Sequence, residues 1–142
     1  MEEINLAAVY GSLRKEMHNN HVLGDSKLIG IFNTNPVYTM YNVSGAYPGI
    51  KKGGSTSIVM EVYEVSNDVK SKLNTLEGYS ETSSPLNNYY NRIVIDTPYG
   101  SAYTYLFNDS IANLNIVESG DWLVEKTKIK QKKEINIYSE WD

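Results

Sequence analysis

The chain has no cysteine among its 142 residues. This absence excludes disulfide bonds, a thiol nucleophile and cysteine-ligated metal sites. Histidine is almost as scarce, because only His18 and His21 are present. A histidine-rich metal site is therefore not expected. The pair is more simply interpreted as part of a solvated loop or helix start, and we predict no bound metal.

Long apolar runs and an excess of positive charge are missing too. No apolar run approaches the ~20 residues that a membrane-spanning helix needs, so we expect no membrane association. The net charge of -4 gives no general basic surface for nucleic acid. One lysine-rich stretch, residues 126–133, is offset by nearby carboxylates and is predicted to be a solvated surface segment. The acidic start of the chain does not resemble a secretory signal, so we expect a cytoplasmic protein.

The length suits a single domain over residues 1–142. A domain of about this size buries roughly 68–70% of its unfolded surface, so it can fold without covalent staples. No internal repeat or low-complexity linker divides the chain.

Six segments carry strand signals: residues 4–9, 27–32, 37–43, 57–65, 89–96 and 102–107. The segment 57–65 is the strongest. Ile58, Met60 and Val62 fall on one face, and the opposite face is apolar apart from Glu61. A strand that is apolar on both faces is typical of one covered on both sides. Residues 46–54, which are rich in glycine and contain a proline, are predicted to be turns.

One helix follows the strongest strand. Three apolar residues recur at helical spacing: Val69, Leu73 and Leu76. Ser66 or Asn67 can cap its start, and Gly78 can end it. Asp121 is expected to cap a last short helix beginning at Trp122. Strands with few helices predict an α+β fold, and six short strands favour a closed or nearly closed barrel, which removes exposed edges.

The common catalytic motifs for nucleotide binding, serine hydrolysis and zinc proteolysis are absent. Tyr10-Gly11-Ser12-Leu13, directly after the first strand, is the first remaining candidate site. A glycine-serine turn in this position can point successive backbone N–H groups into one concavity, which then binds a carboxylate or phosphate. The alternative is an ordinary turn at the end of a strand.

Glu77 is the second candidate. It falls at the C-terminal end of the predicted helix, where the partial negative charge disfavours an anion. Positions that break a local rule are enriched at functional sites. Burial and the helix end would both raise the pKa of this carboxyl group, which suits a group that takes and returns a proton. The alternative is an exposed glutamate on a fraying turn.

The third candidate is a set of tyrosines, of which the chain has 12 against 2 phenylalanines. Strand alternation puts Tyr90 and Arg92 on one face, and it puts Tyr103, Tyr105 and Phe107 together on the next strand. Their hydroxyls could line a cavity, or they could belong to a tyrosine-rich core. Glu61 either supports a site or faces solvent, and the sequence does not separate these two interpretations.

In order and spacing, these pieces resemble the gamma-glutamyl cyclotransferase-like family over about residues 4–123. The matching segments are Val9-Tyr10-Gly11-Ser12-Leu13-Arg14 with Asn19 and Val22-Leu23, Tyr47-Pro48-Gly49-Ile50, Glu61-Val62-Tyr63-Glu64-Val65, Leu73-Asn74-Thr75-Leu76-Glu77-Gly78, Tyr90-Asn91-Arg92, Ala102-Tyr103-Thr104-Tyr105-Leu106 and Ser119-Gly120-Asp121-Trp122.

The resemblance implies a six-stranded, barrel-like α+β fold with a cavity at residues 10–13. It implies an enzyme that cyclises a gamma-glutamyl compound to 5-oxoproline and releases an amine or amino acid, with no cofactor. Glu77 would be catalytic. Tyr10, Gly11, Ser12 and Leu13 would bind the substrate's carboxylate, and Tyr105 would reach the site and orient the substrate or Glu77.

Three residues depart from the family pattern. Glu16 stands where many members have glycine, which leaves the path of the loop open. Met60 replaces a frequent glycine and is expected to narrow the cavity. Asn74 replaces a frequent aspartate.

The expected partner is a small molecule with a free amine and a carboxylate. The main alternative is a non-catalytic protein that holds a small anionic metabolite or signal in the same cavity. A third interpretation is a structural or interaction protein. The sequence leaves the amine half of the substrate and the oligomeric state open.

Overall fold

The computed structural model describes residues 3–139. The first two residues of the acidic start, Met1 and Glu2, and the C-terminal carboxylates Glu140 and Asp142 lie outside the described residues. Within them the strands are β1 (Leu6–Val9), β2 (Lys27–Asn33), β3 (Tyr38–Asn42), β4 (Pro48–Lys52), β5 (Val59–Glu64), β6 (Tyr90–Thr97), β7 (Gly100–Phe107) and β8 (Asn115–Ile116). The helices are α1 (Asn67–Leu76) and α2 (Trp122–Ser139), with short 3₁₀ turns at Asn20–Leu23 and Pro85–Asn87.

The strands form two sheets. A five-stranded sheet has the order β2-β5-β1-β7-β6, and a three-stranded sheet has the order β4-β3-β8. Neighbours in the larger sheet are antiparallel except β1 and β7, which run parallel with Ala7 opposite Tyr103. This parallel pair joins the start of the chain to a strand near its end.

Strand β5 is covered on both faces, as its sequence predicts. Met60 and Val62 are fully buried in a cluster that includes Trp122 at the start of α2. Tyr63, on the opposite face, is buried in a second cluster with Leu73 of α1. The two clusters are the two halves of the core, and the larger sheet lies between them.

The predicted α+β class is confirmed, but the strand inventory differs from the prediction. Eight strands occur in residues 3–139, and Pro48–Lys52, which we predicted to be a turn, is strand β4. Proline is tolerated at the first position of an edge strand, where its missing N–H costs no ladder hydrogen bond. A closed barrel is not observed. The edge strands β2 and β6 share no ladder, although the Tyr99 hydroxyl donates to the Ile31 carbonyl across the gap.

Helix α1 begins and ends where the sequence predicts. The Ser66 side chain accepts a hydrogen bond from the Val69 N–H at 3.2 Å and caps the N-terminus. At the other end Gly78 has a φ of 64°, Tyr79 N donates to Asn74 O at 2.9 Å and Gly78 N donates to Thr75 O at 3.2 Å. These two bonds form a Schellman motif, in which glycine takes the left-handed conformation without steric cost.

Helix α2 starts at Trp122, as predicted, but its 18 residues make it longer than the short helix we expected. Asp121 Oδ1 accepts from the Leu123 N–H at 3.0 Å, which confirms the predicted cap. The lysine-rich stretch lies on this helix and is mostly exposed, although Lys126 donates to the Gly45 carbonyl at 2.9 Å. No helix in the described part of the chain is long and apolar enough to cross a membrane.

Candidate active site

A cavity of about 390 Å³ opens where strands β1 and β7 part. Beyond the Ala7–Tyr103 pair, side-chain hydroxyls hold the two strands together. Thr104 Oγ1 donates to Ala8 O at 2.8 Å, and the Tyr10 hydroxyl donates to Tyr105 O at 2.7 Å. The backbone pairing of these strands is the Ala7–Tyr103 bridge, and the cavity lies beside the two side-chain contacts at the carboxyl end of β1.

Residues 10–13, hereafter the first loop, border this cavity with all four residues. Each carbonyl of the last three is bonded to a protein donor: Gly11 O to Arg14 N at 3.0 Å, Ser12 O to Asn19 N at 2.9 Å and Leu13 O to Asn20 Nδ2 at 2.8 Å. The N–H groups of these same three residues donate to no protein acceptor within residues 3–139. The loop is therefore held by its carbonyls, while these three N–H groups have no acceptor among the described groups. Successive backbone N–H groups are the kind of donors that bind anions at such sites.

Gly11 has a steric reason to be glycine. A Cβ atom there would lie 2.5 Å from Cδ of Pro48, the first residue of β4. Strand β4 of the three-stranded sheet therefore packs directly against the first loop at Gly11. Pro48 also lines the cavity, so β4 fixes one wall of the site.

Glu77 lines the same cavity from the end of α1. It is the helix C-cap, and its own carbonyl accepts from Tyr90 N at 3.2 Å, which ties the helix end to β6. Its carboxyl group is half-buried. Burial raises its pKa from 4.5 to about 7, and desolvation is the cause. A carboxyl group that titrates near neutrality can both accept and return a proton at physiological pH.

Tyr105 is 6% exposed and lines the cavity from β7. Its hydroxyl donates to Asn74 Oδ1 at 2.7 Å. Asn74 lies on the last turn of α1, three residues before Glu77. The hydroxyl therefore bonds the helix that carries Glu77. We predicted that it orients either the substrate or Glu77, and this contact favours the second role. Burial and the nearby Glu77 raise the pKa of the Tyr105 hydroxyl above its ordinary value.

The other cavity tyrosines divide into two kinds. Tyr10 and Tyr90 are buried, and their hydroxyls bond to backbone groups, Tyr90 donating to Pro48 O at 2.7 Å. Tyr47 and Tyr89 stand at the rim, with their hydroxyls 2.7 Å apart. The tyrosine-rich core is thus the better interpretation for Tyr10 and Tyr90. Of these four tyrosines, Tyr47 and Tyr89 are the two whose hydroxyls can contact a ligand in the cavity.

A buried ion cluster that no sequence pattern predicted is formed at Arg14, the residue that follows the first loop. Arg14 Nε donates to Glu61 Oε2 at 2.7 Å, and Arg14 Nη1 donates to Asp121 Oδ1 at 2.9 Å. Arg14 and Glu61 are 3% and 2% exposed. The sequence signal was Glu61 between apolar neighbours, but its partner is 47 residues away along the chain.

Comparison with known proteins assigns the chain and its fold to a family. The model of a family described as "Gamma-glutamyl cyclotransferase, AIG2-like" matches residues 7–124. The chain belongs to this gamma-glutamyl cyclotransferase family. The matched residues include the first loop and Glu77.

Individual relatives agree with this assignment. The gamma-glutamylcyclotransferase family protein YtfP of Escherichia coli K12 is 36% identical over 115 residues, which cover 81% of this chain and 93% of YtfP. The relative of the same name in Citrobacter rodentium is 35% identical, with 81% and 92% covered. The solution NMR structure of E. coli ytfP superposes with a TM-score of 0.65 at 34% identity and covers 83% of this chain and 96% of that one.

The structure explains two departures from the gamma-glutamyl cyclotransferase family pattern. Glu16 has a φ of 70°, the left-handed conformation that glycine adopts most easily. The loop path is therefore the one that a glycine favours, and glutamate adopts it with strain. Met60 is 0% exposed in the core cluster with Trp122, and it does not border the cavity. Our expectation that Met60 narrows the cavity is wrong, because its side chain packs in the core cluster with Trp122 and does not reach the cavity.

Proposed function

We propose that this protein is a gamma-glutamyl cyclotransferase-type enzyme that cyclises a gamma-glutamyl compound to 5-oxoproline and releases an amine or amino acid. The observation that carries the proposal is the position of Glu77. Its carboxyl group has a pKa of about 7 and borders the same cavity as the first loop, in which the N–H groups of Gly11, Ser12 and Leu13 have no acceptor among the described groups. A carboxyl group that titrates near neutrality and a loop with free backbone donors thus border one space.

The first loop would hold the substrate's α-carboxylate. Three backbone N–H donors, of Gly11, Ser12 and Leu13, can bond a carboxylate without any cationic side chain, and among the described residues no lysine or arginine borders the cavity. Fixing the carboxylate would place the neighbouring α-amine within the cavity. The gamma-glutamyl chain can then fold back so that its side-chain carbonyl meets its own amine.

Glu77 would move the protons. Its ionised carboxylate takes a proton from the α-ammonium group, and the free amine attacks the side-chain carbonyl carbon to form the lactam C–N bond. The protonated Glu77 then gives its proton to the departing nitrogen as the original amide C–N bond breaks. The second proton lost by the lactam nitrogen passes through water to the released amine, so protons balance overall.

The chemistry suits a small site with few groups. The nucleophile belongs to the same molecule as the carbonyl, so holding the folded conformer supplies most of the entropic advantage. General acid–base transfer by one carboxyl group typically adds about 10²–10⁴-fold. Tyr105, through Asn74, would keep the end of α1 and therefore Glu77 in place.

The test is incubation of the protein with a panel of gamma-glutamyl amines, gamma-glutamyl amino acids and glutathione, with 5-oxoproline detected by mass spectrometry. We expect at least one compound to yield 5-oxoproline and its amine in equal amounts. Calorimetry on the same panel separates the alternative. Tight binding without turnover of any compound would favour a binding protein and would overturn the enzymatic proposal.

A further inference from the structure

A chain of polar contacts runs from the buried ion cluster to the first loop. We call the four side chains of Arg14, Glu61, Tyr63 and Asn20 the Glu61 network. The inference drawn from it rests on the proposed function, because it concerns the loop that would bind the substrate's carboxylate.

Glu61 is the centre of this network and uses both carboxylate oxygens. Oε2 accepts from Arg14 Nε at 2.7 Å. Oε1 accepts from the backbone N–H of Lys15 at 2.8 Å and from the Tyr63 hydroxyl at 2.8 Å. Arg14 and Lys15 directly follow the first loop in sequence. Glu61 therefore anchors the chain at the point where the loop ends.

A second branch reaches the loop itself. Asn20 Nδ2 lies 3.4 Å from the Tyr63 hydroxyl and donates to the Leu13 carbonyl at 2.8 Å. The Tyr63 hydroxyl thus stands between Glu61 and Asn20. A carbonyl and the N–H of the following residue lie in one peptide plane, so holding the Leu13 carbonyl orients the Arg14 N–H. That N–H donates to the Gly11 carbonyl at 3.0 Å, which shares its plane with the Ser12 N–H of the loop.

Stability alone does not account for this network. Burying a carboxylate and a guanidinium costs desolvation energy, and replacing such a pair with apolar residues of similar volume is often neutral or stabilising. Directed hydrogen bonds, in contrast, define geometry that apolar packing does not. The side-chain hydrogen bonds of Glu61 end on Arg14 and Lys15, which follow the loop, and on Tyr63, whose hydroxyl contacts the Asn20 side chain that bonds Leu13.

We propose that Glu61 is a positioning residue for the anion-binding loop: it fixes residues 10–13 with their N–H groups facing the cavity, although it does not border the cavity itself. Its loss would weaken binding of the substrate's carboxylate more than it slows the proton transfers at Glu77.

The test compares Glu61→Gln with Val62→Ala. The first variant keeps the side chain's size and removes the charge that pairs with Arg14. The second truncates the neighbouring residue of the same strand, which is fully buried on the opposite face, and serves as a control for lost stability. Both are measured well below their melting temperatures.

We expect Glu61→Gln to raise KM, and the Kd of 5-oxoproline used as a carboxylate probe, by about tenfold while kcat stays within about twofold. The amide resonances of Gly11, Ser12 and Leu13 should shift in the ¹H–¹⁵N spectrum. Val62→Ala should lower the melting temperature without changing KM, Kd or these resonances. Equal KM effects from both variants, or none from Glu61→Gln, would overturn the proposal.

Tyr63→Phe keeps the test decisive if Glu61→Gln does not fold. It removes one hydroxyl between Glu61 and Asn20, and a lost neutral hydrogen bond predicts an effect of about two- to tenfold on KM. An unchanged KM and unmoved Leu13 amide would also contradict the proposal. If the wild-type protein produces no 5-oxoproline, the proposed function fails, and the amide resonances and 5-oxoproline binding still test Glu61 separately.

Discussion

Two glutamates lie close to the first loop in very different surroundings. Glu61 is 2% exposed and is bonded by a guanidinium, a backbone N–H and a tyrosine hydroxyl. Glu77 is half-buried at a cavity wall, and desolvation alone raises its pKa to about 7. The Glu61 carboxylate is fully occupied by these partners and does not border the cavity, whereas the Glu77 carboxyl group has no hydrogen-bond partner among the described residues and does border it.

The difference separates structural from chemical use of the same side chain. Burial of a charge is tolerated when hydrogen-bond donors replace the lost water, as they do around Glu61. Where no donor replaces water, the group keeps its proton to higher pH, as Glu77 does. Burial alone therefore does not distinguish a carboxylate that can transfer protons, whereas burial beside a cavity, with no hydrogen-bond partner among the described residues, does.

Among the substitutions that test this difference between the two glutamates, Glu77→Gln is expected to have the largest effect. The substitution keeps the shape and removes the titrating group, so turnover should fall by about 10²–10⁴-fold with an unchanged circular dichroism spectrum. Glu64→Gln is the control, because Glu64 ends the same strand as Glu61 but is exposed. Wild-type rates for the Glu77 variant would refute the proton-transfer role.

The next effect concerns the stability of the paired carboxylate. Arg14→Met leaves Glu61 buried without its counter-charge, which should lower the free energy of unfolding by about 3–5 kcal/mol in urea denaturation. The double variant Arg14→Met/Glu61→Leu should recover most of that loss, since no unpaired charge remains at Glu61. A single variant as stable as the wild type would mean that Glu61 is adequately solvated by its other partners.

Activity should depend on pH through Glu77. The reaction needs the ionised carboxylate, so kcat/KM should fall by about tenfold per pH unit below the free-enzyme pKa of about 7. Glu64→Gln should leave this limb in place. An inflection near 4.5, the ordinary value for glutamate, would show that Glu77 is not desolvated in the free enzyme.

The stability of the protein should also depend on pH through Glu77, but in the opposite direction to its activity. The folded pKa of about 7 lies above the ordinary 4.5, so the unfolded chain ionises first as pH rises and the wild type loses stability between these values. Glu77→Gln should therefore match the wild type near pH 4 and exceed it above pH 7. We expect a gain of about 1–2 kcal/mol, allowing for water in the cavity. Thermal unfolding at both pH values measures it.

A smaller effect is expected from Tyr105→Phe. It removes the hydroxyl that donates to Asn74 on the last turn of α1, and a lost neutral hydrogen bond predicts about a two- to tenfold decrease in activity. Kinetics and melting temperature measured on the same variant separate two roles. A lower melting temperature with unchanged kinetics would make Tyr105 a core residue only.

The smallest effect tests the strained turn after the first loop. Glu16 is exposed and has a φ of 70°, so Glu16→Gly should raise the free energy of unfolding by about 0.5–1 kcal/mol. Asn113→Gly is the matched control. Asn113 has a φ of 66°, but asparagine tolerates this conformation and should gain less. Equal gains from both variants would show that Glu16 carries no special strain.

Sequence patterns located the elements whose signals are local. The caps of α1 at Ser66 and Gly78, and the two apolar faces around Met60, follow from neighbouring residues and are found as predicted. Strand β4 was missed because Pro48 and Gly49 are also turn residues. In the fold, Gly49 is required since a Cβ would lie 2.5 Å from Cβ of Phe107.

The candidate site likewise contains a residue that a local sequence pattern predicts and contacts that no local pattern predicts. Glu77 was identified because a carboxylate at a helix C-terminus breaks a local rule. The contact of Arg14 with Glu61 and Asp121 was not, because its partners are 47 and 107 residues away and no local pattern encodes such a pairing. The length of α2 was also missed, because its alternating lysines obscure a helical period.

The parallel pairing of β1 with β7 has a consequence for the order of folding. Tyr10 and Tyr105, which are hydrogen-bonded to each other and both line the cavity, are 95 residues apart. Contacts of such long sequence separation form slowly, because a large loop must close before they contribute. The cavity cannot form on a ribosome-bound chain until β7 has emerged, whereas the antiparallel pair of β3 and β4 lies earlier in the chain and can form before the first loop has its opposite wall. Any nascent fragment that stops before Tyr103 has secondary structure but no site.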